Sequence, residues 1–388
     1  MDLLLLVGSG ISYASGMPGV DEMTDAVLNG KWFQHTDETF ISGLPYVARV
    51  NDPTSFVQEF LRRLKPEADR SHPLSGRSGN YEDLYFLAEQ IAENAQGQID
   101  NPAILPFVEA LAKQNKELTD SLHNSLGKLA ELACDFIRCV VWNLLSASKS
   151  IRGLDLIESL ARAAAIQRLD IVTLNHDLVI ERFLAEKQLP FVDGFTDPEG
   201  DVRYFDPARF ESVSKVRLFK MHGSINWFRF RATEGDVLSD RMGIVSGTKP
   251  DHAKDRNGRP LLRVDVIPQI LAGTHLKATQ YGFGIYAEMH FWFHRLLRQH
   301  RIIAMSGYGW GDRGINGRLM EWLHSPEDRS LVLMDQKMED LVSFSRSPLW
   351  HRYGPLVEAG RIIPIKKWMQ DVSFDEVWGR LMPTGIPL

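Results

Sequence analysis

Residues 3 to 7 read Leu-Leu-Leu-Leu-Val, and Gly8, Ser9 and Gly10 follow at once. Five consecutive apolar residues do not alternate as a strand with one wet face does, and they fall far short of the roughly 20 that a membrane span needs. They have no preceding basic segment and no cleavage site, so they do not read as a signal peptide. The reading that fits is a strand buried on both faces in a parallel sheet, with a glycine turn at its carboxyl end, where open α/β sheets take their ligands. Two readings of that turn stand side by side. One is a plain strand-to-helix connection. In the other, Gly8 and Gly10 bring the backbone close to a nucleotide pyrophosphate, and a helix opening near Ser12 turns its free N–H groups toward the charge. The third glycine of the dinucleotide fingerprint G-x-G-x-x-G is replaced here by Tyr13.

With 388 residues, 44% hydrophobic and 24% charged, the chain can bury one large core or two smaller ones and is neither disordered nor fibrous. Its net charge of −6 offers no global attraction to nucleic acid or an acidic membrane, and the basic run at Arg62, Arg63 and Lys65 reads as a solvated helix face. The expectation is a cytoplasmic protein with no direct membrane binding, meeting nucleic acid only through a partner. Cys134 and Cys139 lie on a helical pattern about 140° apart around its axis, which suits neither a disulfide nor a metal pair. Both read as buried thiols.

Further apolar runs of strand length recur at 169–175, 216–223, 301–309, 329–335 and 361–367, with helical patterns between them. Alternation of this kind predicts an α/β fold: a Rossmann-like, mostly parallel sheet with helices on both faces. Residues 1–52 and 151–388 are assigned to that domain, with the stretch after its first helix, to about residue 52, read as loop with short helices. Residues 53–150 read as a helical insertion. Asp52 and Pro53 open its first helix, which buries Phe56, Phe60 and Leu64, and a second begins near Tyr81. The longest helix is expected over 120–148, with Leu122, Leu126, Leu129, Ala133, Phe136, Val140 and Leu144 on a 4-3 stripe, a core face or an oligomer seam. Glycine and charge fill 231–265 without clear periodicity, which reads as a long surface excursion.

Several polar residues fall at strand ends. Asn175 and Asp177 sit where a buried strand gives way to a helix, a place for a cap or for a ligand group. His222 precedes Gly223 at another strand end and could be structural, or could carry protons with an imidazole suited to physiological pH. In SGYGWGDRGIN (306–316), a glycine turn precedes Asp312, which reads as a helix cap or a ligand contact. His290 and His294 could grip zinc from one helical face, but Phe291 replaces the glutamate of H-E-x-x-H, so packing is preferred. Trp227, Trp292 and Trp310 read as core anchors. No P-loop or G-x-S-x-G motif is present.

GSGISYASGMP (8–18), TLNHD (173–177), KMHGSINWF (220–228) and SGYGWGDRGIN (306–316) follow one another as in sirtuin-like NAD-binding proteins. The chain resembles the bacterial SIR2-like family, whose members include NAD-degrading proteins of antiphage defence. That resemblance implies NAD as substrate, with Gly8, Ser9, Gly10, Ile11 and Ser12 at the dinucleotide and Ser306, Gly307, Tyr308, Asp312 and Asn316 at phosphate or ribose. Asp335 falls where such folds hold the adenosine ribose. The resemblance also gives Asn175 the positioning of water and ribose, Asp177 a supporting role and His222 that of general base. No metal is called for.

Hydrolysis of NAD to nicotinamide and ADP-ribose is the favoured function, in a regulated effector of antiphage defence that depletes NAD. The family's deacylases carry a four-cysteine zinc ribbon, and this chain has two cysteines; they also carry glutamine where Leu174 stands, and no clear strand for an acyl-lysine peptide follows His222-Gly223. A protein deacylase and a non-catalytic NAD or ADP-ribose sensor are the alternatives. Because a freely active NADase would drain its own cell, gating by assembly is expected: a homo-oligomer, with a partner ATPase of HerA type or another phage-sensing protein, meeting at Phe136 and Val140.

Overall fold

Leu3, Leu4, Leu5, Leu6 and Val7 are all fully buried in strand β1 (Asp2–Val7), which hydrogen-bonds to a parallel neighbour on each side. Side chains alternate across a strand, so complete burial of five in succession means that both faces of the sheet are covered. The computed structural model describes residues 1–30, 53–70, 77–98, 102–122, 125–147, 150–233, 239–273, 277–326, 328–346 and 348–381. The cap expected at Asp52, and the expected loop beyond residue 30, lie outside them.

The remaining strands are β2 (Arg168–Thr173), β3 (Phe191–Val192), β4 (Val202–Tyr204), β5 (Val216–Lys220), β6 (Phe228–Ala232), β7 (Arg241–Val245), β8 (Leu261–Arg263), β9 (Ile302–Ser306), β10 (Ser330–Met334) and β11 (Ile362–Ile365). Seven form one parallel sheet in the order β11-β10-β9-β1-β2-β5-β3. The fold is therefore Rossmann-like α/β. One face packs Leu4, Leu6, Ile303, Met305 and Leu331 into a core with Met289, Trp292 and Phe293 of the helix Gly284–Gln299. Trp227, Trp292 and Trp310 are core anchors, all buried.

The region expected to be a surface excursion folds instead. β4, β6, β7 and β8 make a second, antiparallel sheet in the order β4-β7-β6-β8. Ion pairs hold it: Arg229 Nη2 reaches Asp265 Oδ1 at 2.6 Å, and Arg231 Nε reaches Asp240 Oδ1 at 2.6 Å. A strand thus does follow His222-Gly223, namely β6, but it pairs with β7 on one side and β8 on the other.

The chain divides into two compact units, one of residues 1–17, 148–271 and 277–388 and the other of 18–147 and 272–276. The second is helical. Asn80 caps its helix Tyr81–Ala95, and Ser125 accepts from Lys128 N to cap Leu126–Ser146. That cap splits the single long helix expected over 120–148, leaving Lys116–Leu122 separate. The apolar stripe is interior: Leu129, Ala133, Phe136 and Val140 are fully buried, and this helix packs on Tyr81–Ala95 and Pro53–Arg70. Phe136 and Val140 therefore cannot form a contact surface for a partner. Phe60 and Leu64 are buried as expected and Phe56 is half-buried; Arg63 and Lys65 pair with Glu59 and Asp69 on the same helix. Cys139 is buried, which pushes its thiol up to about 12, whereas Cys134 is half-buried.

Candidate active site

Strand register decides which polar side chains share the carboxyl edge of the sheet. Val7 pairs with both Thr173 and Ser306, and Thr173 pairs with Lys220. Gly8, Asn175, His222, Gly307 and Asp335 therefore leave the sheet on the same side, each one or two residues past its strand. The order reverses at β1, with β2 on one flank and β9 on the other, and it is at such a switch point that a crevice forms.

At that point the turns after β1 and β9 meet backbone to backbone. Gly8 N–H donates to Ser306 O at 3.1 Å and Gly10 N–H to Gly307 O at 3.0 Å. A Cβ on Gly10 would lie 2.7 Å from Gly307 Cα, and one on Gly307, whose φ is +67°, would lie 2.6 Å from Ile11 N. The glycines are thus required by one another. The segment after Gly8 is a 3-10 helix, Ser9–Ser15, ended by Gly16 in the left-handed region. The α-helix expected to open near Ser12 begins instead at Val20, in the helical unit, because Gly16 and Pro18 interrupt the chain first. Two of the N–H groups expected to face phosphate are already engaged, Gly10 with Gly307 O and Ile11 with Gly8 O. Beside the turns lies a cavity of about 340 Å³ lined by Gly10, Ile11, Ser306 and Gly307 together with Tyr13, Trp368 and Gln370. Ser9 is exposed at the turn.

Ser12, next to Ile11, is buried and leads from this cavity to Asn175. The Asn175 Nδ2 donates to Ser12 Oγ at 3.0 Å, and its backbone N–H donates to Thr173 Oγ1 at 3.1 Å. Its Oδ1 is buried and has no hydrogen-bond partner among the described residues. Asp177 caps the turn that follows, accepting from Val179 N at 2.9 Å. Lys220 pins the same turn, with Nζ 2.5 Å from Asp177 O and 2.7 Å from Glu181 Oε1.

His222 is clamped through its backbone, its carbonyl accepting from Leu271 N at 2.8 Å. Gly223, at φ +80°, lets the segment 269–271 approach, since a Cβ there would meet Gln269 O at 2.1 Å. The His222 Nε2 lies 2.8 Å from Tyr281 Oη and 3.0 Å from Asp312 Oδ2, and the Tyr281 hydroxyl donates to that same carboxylate oxygen. The other Asp312 oxygen caps the helix Arg313–Leu323, accepting from Gly314 N and Ile315 N. Burial alone would raise the Asp312 pKa, but the hydrogen bond and charge of His222, with Lys277 and Tyr281, outweigh it and hold the carboxyl well below the usual range. Burial, reinforced by His222, pushes His176 well below its ordinary value, and burial takes His290 down to about 4.

Other predicted residues serve the loop itself. Tyr308 donates to Asn316 Oδ1 at 2.6 Å, and Asn316 Nδ2 donates to Trp310 O at 2.8 Å, fastening the turn that carries Gly307. Ser306 Oγ donates to Met334 O at 3.1 Å, and Asp335 Oδ1 accepts from Lys337 N at 2.7 Å. The His290 ring packs tilted by 36° against that of Tyr281, with centroids 3.5 Å apart, a packing role. No three His, Cys, Asp or Glu side chains gather to hold a metal among the described residues, and no described helix is long and apolar enough to cross a membrane.

The sequence pattern missed Tyr281, His176 and Trp368. His176 lies inside the TLNHD motif and its ring is 6.1 Å from that of His222, so its position was a signal. Tyr281 and Trp368 carry none: only the fold brings them in.

No protein-family model matches the sequence, and no curated protein matches it. Among solved structures the chain is similar to a SIR2 homologue in complex with NAD, with 12% identity over 98% of this chain and 89% of that one, at a TM-score of 0.39. It is also similar to Sir2Tm bound to a propionylated peptide, with 11% identity over 92% of this chain and 93% of that one, at a TM-score of 0.33.

Proposed function

We propose that this protein hydrolyses NAD+ to nicotinamide and ADP-ribose. The observation that carries the reading is the Oδ1 of Asn175, buried and without a partner among the described residues, on a carboxamide held through Nδ2 by Ser12 at the carboxyl edge where His222 also emerges. A buried acceptor left without a donor is costly, and a ribose hydroxyl or a water would satisfy it. The dinucleotide would run from the cavity at Gly10, Ile11 and Gly307 past Ser12, bringing its nicotinamide ribose to Asn175. The four motifs and their order support the same assignment.

The chemistry asks little of the protein beyond placement. As the C1′–N bond breaks, its electron pair passes to the cationic nicotinamide ring, which leaves neutral, and positive charge develops on the ribose. Water then bonds to C1′ and gives up a proton, balancing the products as nicotinamide, ADP-ribose and H+. In this scheme Asn175 Oδ1 orients the water or ribose hydroxyl, and His222 takes the proton. Asp177 and Lys220 hold the turn that carries Asn175.

Incubating the full-length protein with NAD+ and separating the products tests the reading. Free ADP-ribose and nicotinamide in equal amounts are expected. Acyl-ADP-ribose formed only with an acylated peptide would replace hydrolysis by deacylation, which the number of cysteines and the paired edges of β6 disfavour. Saturable NAD+ binding without turnover at any protein concentration would make the protein a sensor. The motif resemblance supports a regulated effector of antiphage defence working in an assembly, its contact surface lying elsewhere than Phe136 and Val140.

A further inference from the structure

Asp312 has no freedom to turn. One carboxylate oxygen accepts from Gly314 N at 2.8 Å and Ile315 N at 3.0 Å, so the other, Oδ2, is fixed toward His222 Nε2, 3.0 Å away. A carboxylate can only accept, so the proton between them belongs to Nε2. Tyr281 donates its hydroxyl to the same oxygen and sets its own oxygen 2.8 Å from Nε2, where the Nε2–H is shared. Tyr281 is itself held, its ring against His290 and its backbone N–H on Lys277 O. His222, Tyr281 and Asp312 are all buried.

We infer that Asp312 and Tyr281 are positioning residues for His222: they keep the resting proton on Nε2 and so fix the tautomer and orientation of the ring that exchanges protons with substrate. The inference rests on the reading of His222 as the group that takes a proton during NAD+ cleavage. It adds a carboxylate that stabilises the imidazolium formed and a hydroxyl that keeps that carboxylate in place. It also joins two parts of the site, because the loop from Gly307, fastened by Tyr308 and Asn316, ends at Asp312.

The groups facing the pair have differing effects. Asp312 is the carboxylate within hydrogen-bond reach of the ring and favours its protonated form. Lys277, from the segment before Tyr281, helps hold the Asp312 carboxyl low, and Lys277 with Lys220, at the end of β5, pushes His176 toward its neutral form. His176, after β2, and His290, from the helix Gly284–Gln299, are both pushed toward the neutral form. Removal of the Asp312 charge must therefore lower the pH at which His222 takes its proton.

Asp312→Asn tests this cleanly, since asparagine caps a helix as well as aspartate does and the fold should persist. The full-length chain carrying ring-labelled histidine would be titrated by NMR, with His222 assigned by its loss in His222→Gln. The His222 midpoint should fall by about one unit or more in Asp312→Asn, and by less in Tyr281→Phe. Nicotinamide release should fall about a hundredfold or more in kcat, with KM changing by less than about threefold, and the acid limb of the pH profile should move down with the NMR midpoint. An unchanged His222 titration in folded Asp312→Asn would overturn the inference, as would a loss confined to KM. A wild-type protein that never releases nicotinamide would instead refute the proposed function, and the titration would still report whether Asp312 governs the ring.

Discussion

The carboxamide of Asn175 is half satisfied: Nδ2 donates to Ser12, while Oδ1 is buried without a partner among the described residues. Replacing Asn175 with alanine removes a hydrogen bond worth about 0.5–1.5 kcal/mol, but it also removes an orphaned acceptor whose burial costs about 1–3 kcal/mol. The Asn175→Ala protein is expected to melt within a few degrees of wild type or above it, and to lose NAD+ cleavage by orders of magnitude. Calorimetry beside the product assay checks both, and a marked loss of stability would show that the oxygen has a structural partner. Asn175 and His222 were legible because each is a polar residue immediately past an apolar run. The company His222 keeps was not, since Tyr281 is 59 residues from it along the chain and Asp312 a further 31. A local pattern could read Asp312 as a cap, which it is, but not as the second acceptor that faces an imidazole.

Among elements, the paired glycine turns are the tightest feature. The sequence suggested that Gly10 makes room for a pyrophosphate, yet its missing Cβ is first of all room for Gly307. Gly10→Val should therefore lower stability in the absence of any nucleotide, by about 1–3 kcal/mol or more as overpacking does. Thermal melts without NAD+ measure this, and an unchanged melting temperature with weakened NAD+ affinity would restore the simpler reading. The parallel strands were visible as apolar runs because burial on both faces leaves no polar residue to interrupt them. The antiparallel sheet was not. In β6, Phe228 and Phe230 turn inward while Arg229 and Arg231 turn out, an alternation of only five residues, and the acids that answer those arginines lie in other segments. The helix expected near Ser12 is one 3-10 helix, Ser9–Ser15, because Gly16 with Pro18 cuts it short.

At the scale of the whole molecule, the two units differ in how far apart their partners lie in the chain. The helical unit draws almost entirely on residues 18–147, whereas the central strand of the large sheet pairs at Leu4 with Asp170 on one flank and with Ile303 on the other. Local contacts form early and distant ones late. In refolding followed by pulsed hydrogen exchange, amides of Tyr81–Ala95 and Leu126–Ser146 should be protected before those of β1, and simultaneous protection would argue against that order. During synthesis the disparity is larger. At about 5–20 residues per second, the ribosome needs tens of seconds between releasing Leu3–Val7 and releasing the strand that covers their second edge. Throughout that interval the nascent chain carries an apolar strand with at least one edge unpaired, the kind of segment that aggregates or is taken up by a chaperone. The glycine turns cannot close until β9 arrives, so a chain made only as far as β2 or β5 has no nucleotide cavity, and on the proposed reading it cannot consume NAD+ before β9 has been made.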